Sequence, residues 1–414
     1  MQSSLAQPAI APQRLFRQGW ATLAGVVAVV MVLVAVSRID GGLGSSWVLG
    51  LALGFILQRS RFCFAGAFRD LFLTRDGRVM RALLTGLLVA TVGFTVLQAR
   101  LAPDPAAGLL PPGAHVIPVG LHLVVGGVLF GLGMVVAGGC VSGTLYRIGE
   151  GYVGSMVTLL GILVGLWAAA RTWNWWYLNH MRYVPAVWLP QGLGYGLTLA
   201  LVLAALGAVY LLVLWWESKQ GPVPVVAIKR RPEQPAVTFA EKLDELRRKV
   251  LVVGWPATVG GVALGVLNVF SYVNEHPIGV TGELSAWADR LAGLVGLGAG
   301  YLEGVDQFAG CNLVLGETGL LTHSLMLDVG LIFGSFLAAL AASEFRLRVP
   351  RQRVRYVQSV GGGVLMGYGA GIAVGCTLGA FFSAVPSLGL SGWVFGLSLA
   401  AGAFLGTQVI RRIH

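Results

Sequence analysis

Four cysteines are the residues of this sequence with the most distinctive chemistry, and two of them occupy matching positions of a repeat. The segments Gly126–Gly143 and Gly362–Gly379 share ten of eighteen residues without a gap, and Cys140 aligns with Cys376. Each of these cysteines lies near the end of an apolar, glycine-rich stretch, where a membrane helix could stop part-way and expose a thiol. We therefore interpret Cys140 and Cys376 as candidates for a pathway rather than for packing alone.

A third cysteine lies in the segment Gly54–Asp70, GFILQRSRFCFAGAFRD, where an Arg-Ser-Arg interruption comes just before Phe-Cys-Phe. Arginine at membrane depth is costly unless it faces water or a partner. The pattern therefore predicts a helix break close to Cys63. The alternative, that Arg59 and Arg61 only mark the end of a helix, stays open.

Small and polar residues beside the cysteines indicate chain reversals. Two glycines precede Cys140 and a Ser-Gly-Thr run follows it, so the backbone N–H groups of a new helix could meet an anion there. Cys311 lies outside the repeat, and burial as a small hydrophobic residue explains it equally well. The further candidate site residues are Cys311, Arg61, Gly139, Ser142, Gly143, Thr144, Gly375 and Thr377.

The composition determines which elements position these residues. The chain is 56% hydrophobic and 11% charged, with a mean hydropathy of +0.77, whereas soluble domains are roughly 25% charged. We count about eleven apolar stretches, one of them at 288–304, and several are shorter than the roughly 20 residues of a spanning helix. The sequence predicts an all-α polytopic membrane protein of about nine to eleven hydrophobic helices, some of them short, broken or re-entrant.

The formal charge of +11 does not indicate nucleic-acid binding, because the basic residues cluster in loops, as the positive-inside rule predicts. We expect an N-terminal tail (1–18), a first membrane half (19–216), a basic cytoplasmic linker (217–250) and a second membrane half (251–414). If the region 288–320 is re-entrant, the arginine-rich segment Arg346–Arg355 also lies in the cytoplasm. The second copy of the repeat then runs antiparallel to the first, as in transporters built from inverted repeats.

Other chemistries are less well supported. The six histidines have no zinc-type spacing and no Gly-rich Walker loop occurs, so we expect no metal and no cofactor. A heavy-metal channel is disfavoured because basic loops suit anions. A membrane thiol oxidoreductase remains an alternative, although no two cysteines are close in sequence. Such an enzyme needs two thiols close enough to form a disulfide, and the fold could bring Cys140 and Cys376 together.

Three runs together resemble the YeeE/YedE family of bacterial membrane proteins: GFILQRSRFCFAGAFRD, LGMVVAGGCVSGTLYRIGEG and SEFRLRVPRQRVRYVQSVGGGVLMGYGAGIAVGCTLGAFF. The resemblance covers the chain from about Gly44 to Gly406. It implies that Cys63, Cys140 and Cys376 match the cysteines along which the family conducts its substrate. Cys311 departs from the thiosulfate type, and Gly375–Trp393 looks more like the YedE side, which is linked to selenium metabolism.

The resemblance implies a transporter, not an enzyme, that imports thiosulfate or a closely related sulfur-containing anion across the bacterial inner membrane into the cytoplasm. A TusA-like sulfur carrier or a rhodanese is the receiver that it implies. The residue types agree, because N–H donors suit the sulfonate oxygens of such an anion and polarizable thiols suit its terminal sulfur. A selenium-containing or other sulfur compound is the alternative substrate.

Overall fold

The computed structural model describes residues 12–219, 242, 245–246, 248–274, 276–308, 313, 319 and 321–413, so Cys311 and most of the predicted linker lie outside the described residues. Over the described residues the chain forms helices and isolated bridges without a β-strand, which confirms the all-α class. The α-helices are α1 (Pro12–Ile39), α2 (Gly41–Ser60), α3 (Phe64–Leu73), α4 (Arg78–Leu101), α5 (Leu121–Ala137), α6 (Val141–Gly149), α7 (Val153–Asn179), α8 (Pro190–Ser218), α9 (Ala257–Asn274), α10 (Thr281–Gly293), α11 (His323–Ala341), α12 (Arg353–Ile372) and α13 (Leu390–Ile413). Two π-helical segments cover Arg248–Val252 and Thr377–Ser383.

Nine stretches of the described chain are long and apolar enough to cross a membrane, or ten if α12 and the segment Thr377–Ser383, bent by 48°, form one span. The expectation of nine to eleven membrane helices is confirmed. The apolar stretch 288–304 is not one of them, because α10 ends at Gly293 and the chain has no helix from Leu294 to Leu302. Its four glycines between 293 and 300 favour an irregular backbone over a helix.

The two copies of the repeat form α5 and α12 and pack against each other in opposite directions. Gly126 lies against Gly369 near the start of α5, and Gly133 lies against Gly362 near its end. A Cβ atom at Gly126 would lie 2.8 Å from the Gly369 oxygen, and one at Gly133 would lie 2.6 Å from the Gly362 oxygen. Glycine is therefore required for this close helix contact. The predicted antiparallel arrangement of the repeats is confirmed.

The other long helices pair reciprocally between the two parts of the chain. Helix α2 packs on α11 and α4 on α9, while α5 packs on α13 and α7 on α12. Within each pair the helices run parallel; for example, Gly50 faces Leu327 and Gly54 faces Leu331. Equivalent helices thus exchange partners across an approximate twofold axis, the plan of inverted-repeat membrane proteins.

The basic loops meet on one side of this helix assembly, which we call the basic face: the ends of α2, α3, α6, α8 and α13, and the loop 342–352. Direct contacts join them. Arg81 pairs with Glu217 at 3.3 Å, and Arg411 donates to the Phe72 carbonyl at 3.2 Å. The Arg348 N–H donates to the Gly151 carbonyl at 2.8 Å. The basic loops of the described residues that join these helix ends therefore share one face of the molecule.

Candidate functional site

Three helix breaks each present a cysteine as the residue just before a new helix. Cys63 precedes α3, Cys140 precedes α6, and Cys376 precedes the π-helical segment Thr377–Ser383. The break near Cys63 that the sequence predicts is present. A residue with left-handed backbone lies shortly before each cysteine, namely Arg61 (φ 50°), Gly138 (φ 81°) and Gly375 (φ 148°).

Cys63 and Cys140 lie side by side, although they are far apart in sequence. A Cβ atom built on Gly143 would lie 3.3 Å from the Cys140 Sγ and 3.6 Å from the Cys63 Sγ, so the two thiols flank the same glycine. The predicted neighbours hold Cys140 in place. Its Sγ accepts the Gly143 N–H at 3.3 Å and contacts the Ser142 Oγ at 3.3 Å. The Thr144 hydroxyl donates to its carbonyl at 2.9 Å.

Cys376 belongs to a different place in the fold. It follows Ala373, which packs on Gly126, whereas Cys140 follows Ala137, which packs on Gly362. The helix turns that precede the two cysteines therefore lie at opposite ends of the α5–α12 overlap, and these ends are about 17 Å apart along the helix axis. The alternative in which Cys140 and Cys376 come together is wrong. Helices α5 and α12 run antiparallel along their overlap, so the breaks that follow them lie at opposite ends of it.

Aromatic rings and one buried amide fix the segment that follows Cys376. The Phe64 ring packs on the Phe382 ring at 5.6 Å between centroids. The Asn268 Nδ2 donates to the Phe382 carbonyl at 3.1 Å, and its Oδ1 accepts the Ile278 N–H at 2.9 Å and the Ser383 hydroxyl at 3.2 Å. At the start of the same segment, by contrast, the Thr377 hydroxyl is buried without a hydrogen-bond partner among the described residues.

A cavity of about 480 Å³ opens on the basic face, and we call it the vestibule. Cys63 is part of its wall and is 8% exposed, whereas Cys140 and Cys376 are fully buried. Of these three cysteines, only Cys63 lines the vestibule. The vestibule is lined by Arg61, Cys63, Gly66, Arg69, Asp70, Val79, Tyr146, Arg147, Glu150, Tyr152, Ala342, Ser343, Glu344, Arg346 and Arg348.

A buried ion-pair network forms one side of the vestibule. Arg59 is 1% exposed, pairs with Glu344 at 2.8 Å and also donates to the Leu251 carbonyl at 2.7 Å. Gln58 donates to Glu344 at 2.9 Å and to Glu150 at 3.2 Å. Burial raises the pKa of the Glu150 carboxyl above its usual value. The candidate residue Arg61 pairs with the same Glu344 at 2.9 Å, but its side chain is 72% exposed.

Arg147 is the site residue that the sequence reasoning missed. Its Nη2 lies 3.9 Å from the Cys63 Sγ, and its Nη1 donates to the Gly138 carbonyl at the α5–α6 break. The candidate Gly139 leaves room for this guanidinium, since a Cβ atom there would lie 3.1 Å from Nη1. A signal was present, because Arg147 follows Cys140 by seven residues, which is two turns of helix.

The fold and the site together define a class of protein. An α-helical membrane protein with antiparallel repeats and broken helices that meet within the membrane has the architecture of a transporter. The family model described as "Sulphur transport" matches residues 59–405 of this chain. The chain therefore belongs to the sulphur transport (YeeE/YedE) family, as its motifs indicate.

Individual relatives agree with this assignment. The chain is 31% identical over 367 residues to the thiosulfate transporter TsuA of Escherichia coli, covering 88% of this chain and 94% of the relative. It is 30% identical over 380 residues to TsuA of Spirochaeta thermophila, covering 88% and 98%. The probable transporter YedE of Salmonella typhimurium is 34% identical over 160 residues, which is 38% of each chain.

Proposed function

We propose that this protein imports thiosulfate, or a closely related sulfur-containing anion, across the inner membrane into the cytoplasm along Cys63, Cys140 and Cys376. The observation that carries the proposal is the placement of all three thiols at helix breaks, with two of them on either side of Gly143. Two relatives named as thiosulfate transporters, each matched over more than nine-tenths of its length, support the substrate.

The chemistry of the breaks suits an anion with one hard and one soft end. The first N–H groups of α6 point towards its N-terminus beside Cys140, where a helix favours negative charge. The thiols offer polarizable sulfur that binds weakly enough to release a substrate, as any conduction path requires. The positive-inside rule supports a cytoplasmic location for the basic face.

Growth on thiosulfate as the sole sulfur source tests the proposal in a bacterial strain that depends on this protein. We expect Cys140→Ala and Cys376→Ala each to abolish growth, because each removes one thiol of the path, and we expect Cys311→Ala to be mild. Immunoblots of the membrane fraction must show equal amounts of each variant. If both single variants grow normally, the cysteine path is wrong.

A membrane thiol oxidoreductase is the second candidate, and the proximity of Cys63 and Cys140 at Gly143 favours it. Both cysteines are free in the structure, so an oxidoreductase would have to cycle through a disulfide between them. Uptake of ³⁵S-thiosulfate into proteoliposomes kept in a membrane-permeant reductant separates the two functions. Transport by neutral thiols continues under reduction, whereas an activity that needs the disulfide stops.

The same proteoliposomes identify the substrate. Unlabelled thiosulfate, sulfate, sulfite and selenosulfate compete in turn against the labelled anion, and the strongest competitor is the preferred substrate. We propose a TusA-like sulfur carrier or a rhodanese as the cytoplasmic receiver, on family resemblance. A pull-down with purified carrier, compared with a pull-down by empty resin, tests that partner.

A further inference from the structure

The vestibule has more positive charge than its acids neutralise. Its wall contains five arginines and three carboxylates, which leaves a formal excess of two positive charges. Arg69 pairs with Asp70 at 2.8 Å, and Arg61 pairs with Glu344 at 2.9 Å. The third carboxylate belongs to Glu150 and is held by an amide hydrogen bond from Gln58 at 3.2 Å. The unneutralised charge therefore belongs to the remaining arginines.

Three guanidinium groups of the vestibule have no carboxylate partner among the described residues. Arg348 stacks on the Tyr152 ring at 4.4 Å and donates to the Glu344 carbonyl at 3.2 Å. Arg147 donates to the Gly138 carbonyl and contacts the Cys63 thiol. Arg346 is exposed at the rim. Guanidinium groups bind the oxygens of sulfonate-like anions in a bidentate manner, and an excess of two charges matches a dianion.

We propose that the vestibule is an oxyanion-binding site, in which Arg147, Arg346 and Arg348 hold the sulfonate end of the substrate while its terminal sulfur contacts Cys63. This inference rests on the proposed function, and it adds a place where the anion is held on the basic face after it passes Cys140. Arg147 is the connecting side chain, since it contacts the Cys63 thiol and also lines the cavity. The site recognises the SO₃ group, so sulfate is a ligand as well.

Protection of Cys63 against alkylation tests the site without any transport. The purified full-length protein in detergent micelles is treated with N-ethylmaleimide in the presence of thiosulfate, sulfate or chloride at equal ionic strength. Peptide mass spectrometry then reads the modification of Cys63 separately from that of the other cysteines. We expect thiosulfate and sulfate to slow the modification, whereas chloride does not.

Substitutions in the vestibule identify the binding side chains. Arg348→Gln and Arg346→Gln should each raise the thiosulfate concentration that half-protects Cys63 by about tenfold, because each removes a charge-assisted contact. Arg351→Gln is the matched control, an exposed arginine of the same loop that does not line the cavity. Each variant is compared with itself without anion, so a change in the intrinsic reactivity of Cys63 does not affect the result.

Arg147→Gln could disturb the α5–α6 break through the lost Gly138 contact, so the Arg346 and Arg348 variants decide the question. The site is refuted if thiosulfate leaves Cys63 modification unchanged, or if both of these variants keep wild-type protection. The two proposals fail separately. Protection without uptake in proteoliposomes refutes the transport function and leaves the site standing, and uptake without protection refutes the site alone.

Discussion

Replacing Glu344 should destabilise the protein far more than replacing Arg61, although both changes break an ion pair on the same carboxylate. Arg59 and Arg61 contact the two oxygens of Glu344 at 2.8 and 2.9 Å. Arg59 is 1% exposed, whereas the Arg61 side chain is 72% exposed. Glu344→Gln leaves a buried guanidinium without its counter-charge, which costs about 3–5 kcal/mol. Arg61→Gln loses an exposed pair, which contributes about 0–1 kcal/mol.

For Glu344→Gln we expect a loss of unfolding free energy of about 3 kcal/mol, the lower end of the range for a buried charge that loses its partner. Arg59 keeps two backbone carbonyl acceptors, those of Leu251 at 2.7 Å and Val252 at 3.1 Å. It also keeps the side-chain oxygen of Gln58 at 2.7 Å. These bonds satisfy the Nε and Nη1 donors of Arg59 but do not neutralise its charge.

Thermal unfolding of the purified variants in one detergent, at one scan rate, measures this difference as a shift in the midpoint. A fixed scan rate is needed because unfolding of large proteins is often irreversible. The double variant Arg59→Gln/Glu344→Gln should be more stable than Glu344→Gln alone, since the uncompensated buried charge is gone. Equal midpoint shifts for Arg61→Gln and Glu344→Gln would refute the reasoning, and so would a double variant less stable than Glu344→Gln.

Three further predictions address other parts of the site. Gly143→Ala should lower the thiosulfate uptake rate about tenfold, because its methyl group lies between the two neighbouring thiols. Gly50→Ala is the comparison. It should instead lower the unfolding midpoint, because its Cβ would lie 2.3 Å from a backbone oxygen. Asn268→Ala should reduce the unfolding free energy by about 2 kcal/mol, because a buried N–H loses its acceptor, and chemical denaturation measures the loss. Burial raises the pKa of Glu150, so the wild type should lose stability as the pH rises from the usual pKa of a glutamate to the raised pKa. A pH series of unfolding midpoints measures this loss, and Glu150→Gln should not show it.

The local features of the site could be predicted from the sequence because they depend on neighbouring residues. Glycine at 138 and 375 permits the left-handed backbone that ends a helix before Cys140 and Cys376. The antiparallel repeat followed from loop charges, which act through the membrane and not through side-chain packing.

The long-range features were not predictable in this way. Cys63 and Cys140 are 77 residues apart, and their proximity at Gly143 depends on how the two helix breaks come together in the fold. Arg147 reads in sequence as one more basic residue of the cytoplasmic side. Only the fold turns its guanidinium towards the thiol of another helix break. A loop-charge rule assigns an arginine to a side of the membrane, but it does not identify the group that the arginine contacts.

The contacts of the two neighbouring thiols also distinguish the two positions along the proposed path. Beside Cys140 the polar groups are dipoles, the Gly143 N–H and the Ser142 hydroxyl. Beside Cys63 there is a full positive charge on Arg147, 3.9 Å from the sulfur. A dianion that moves from Cys140 to Cys63 therefore gains electrostatic stabilisation as it approaches the basic face. Release must remain possible, and the carboxylates that pair with Arg61 and Arg69 limit the charge that holds the anion there.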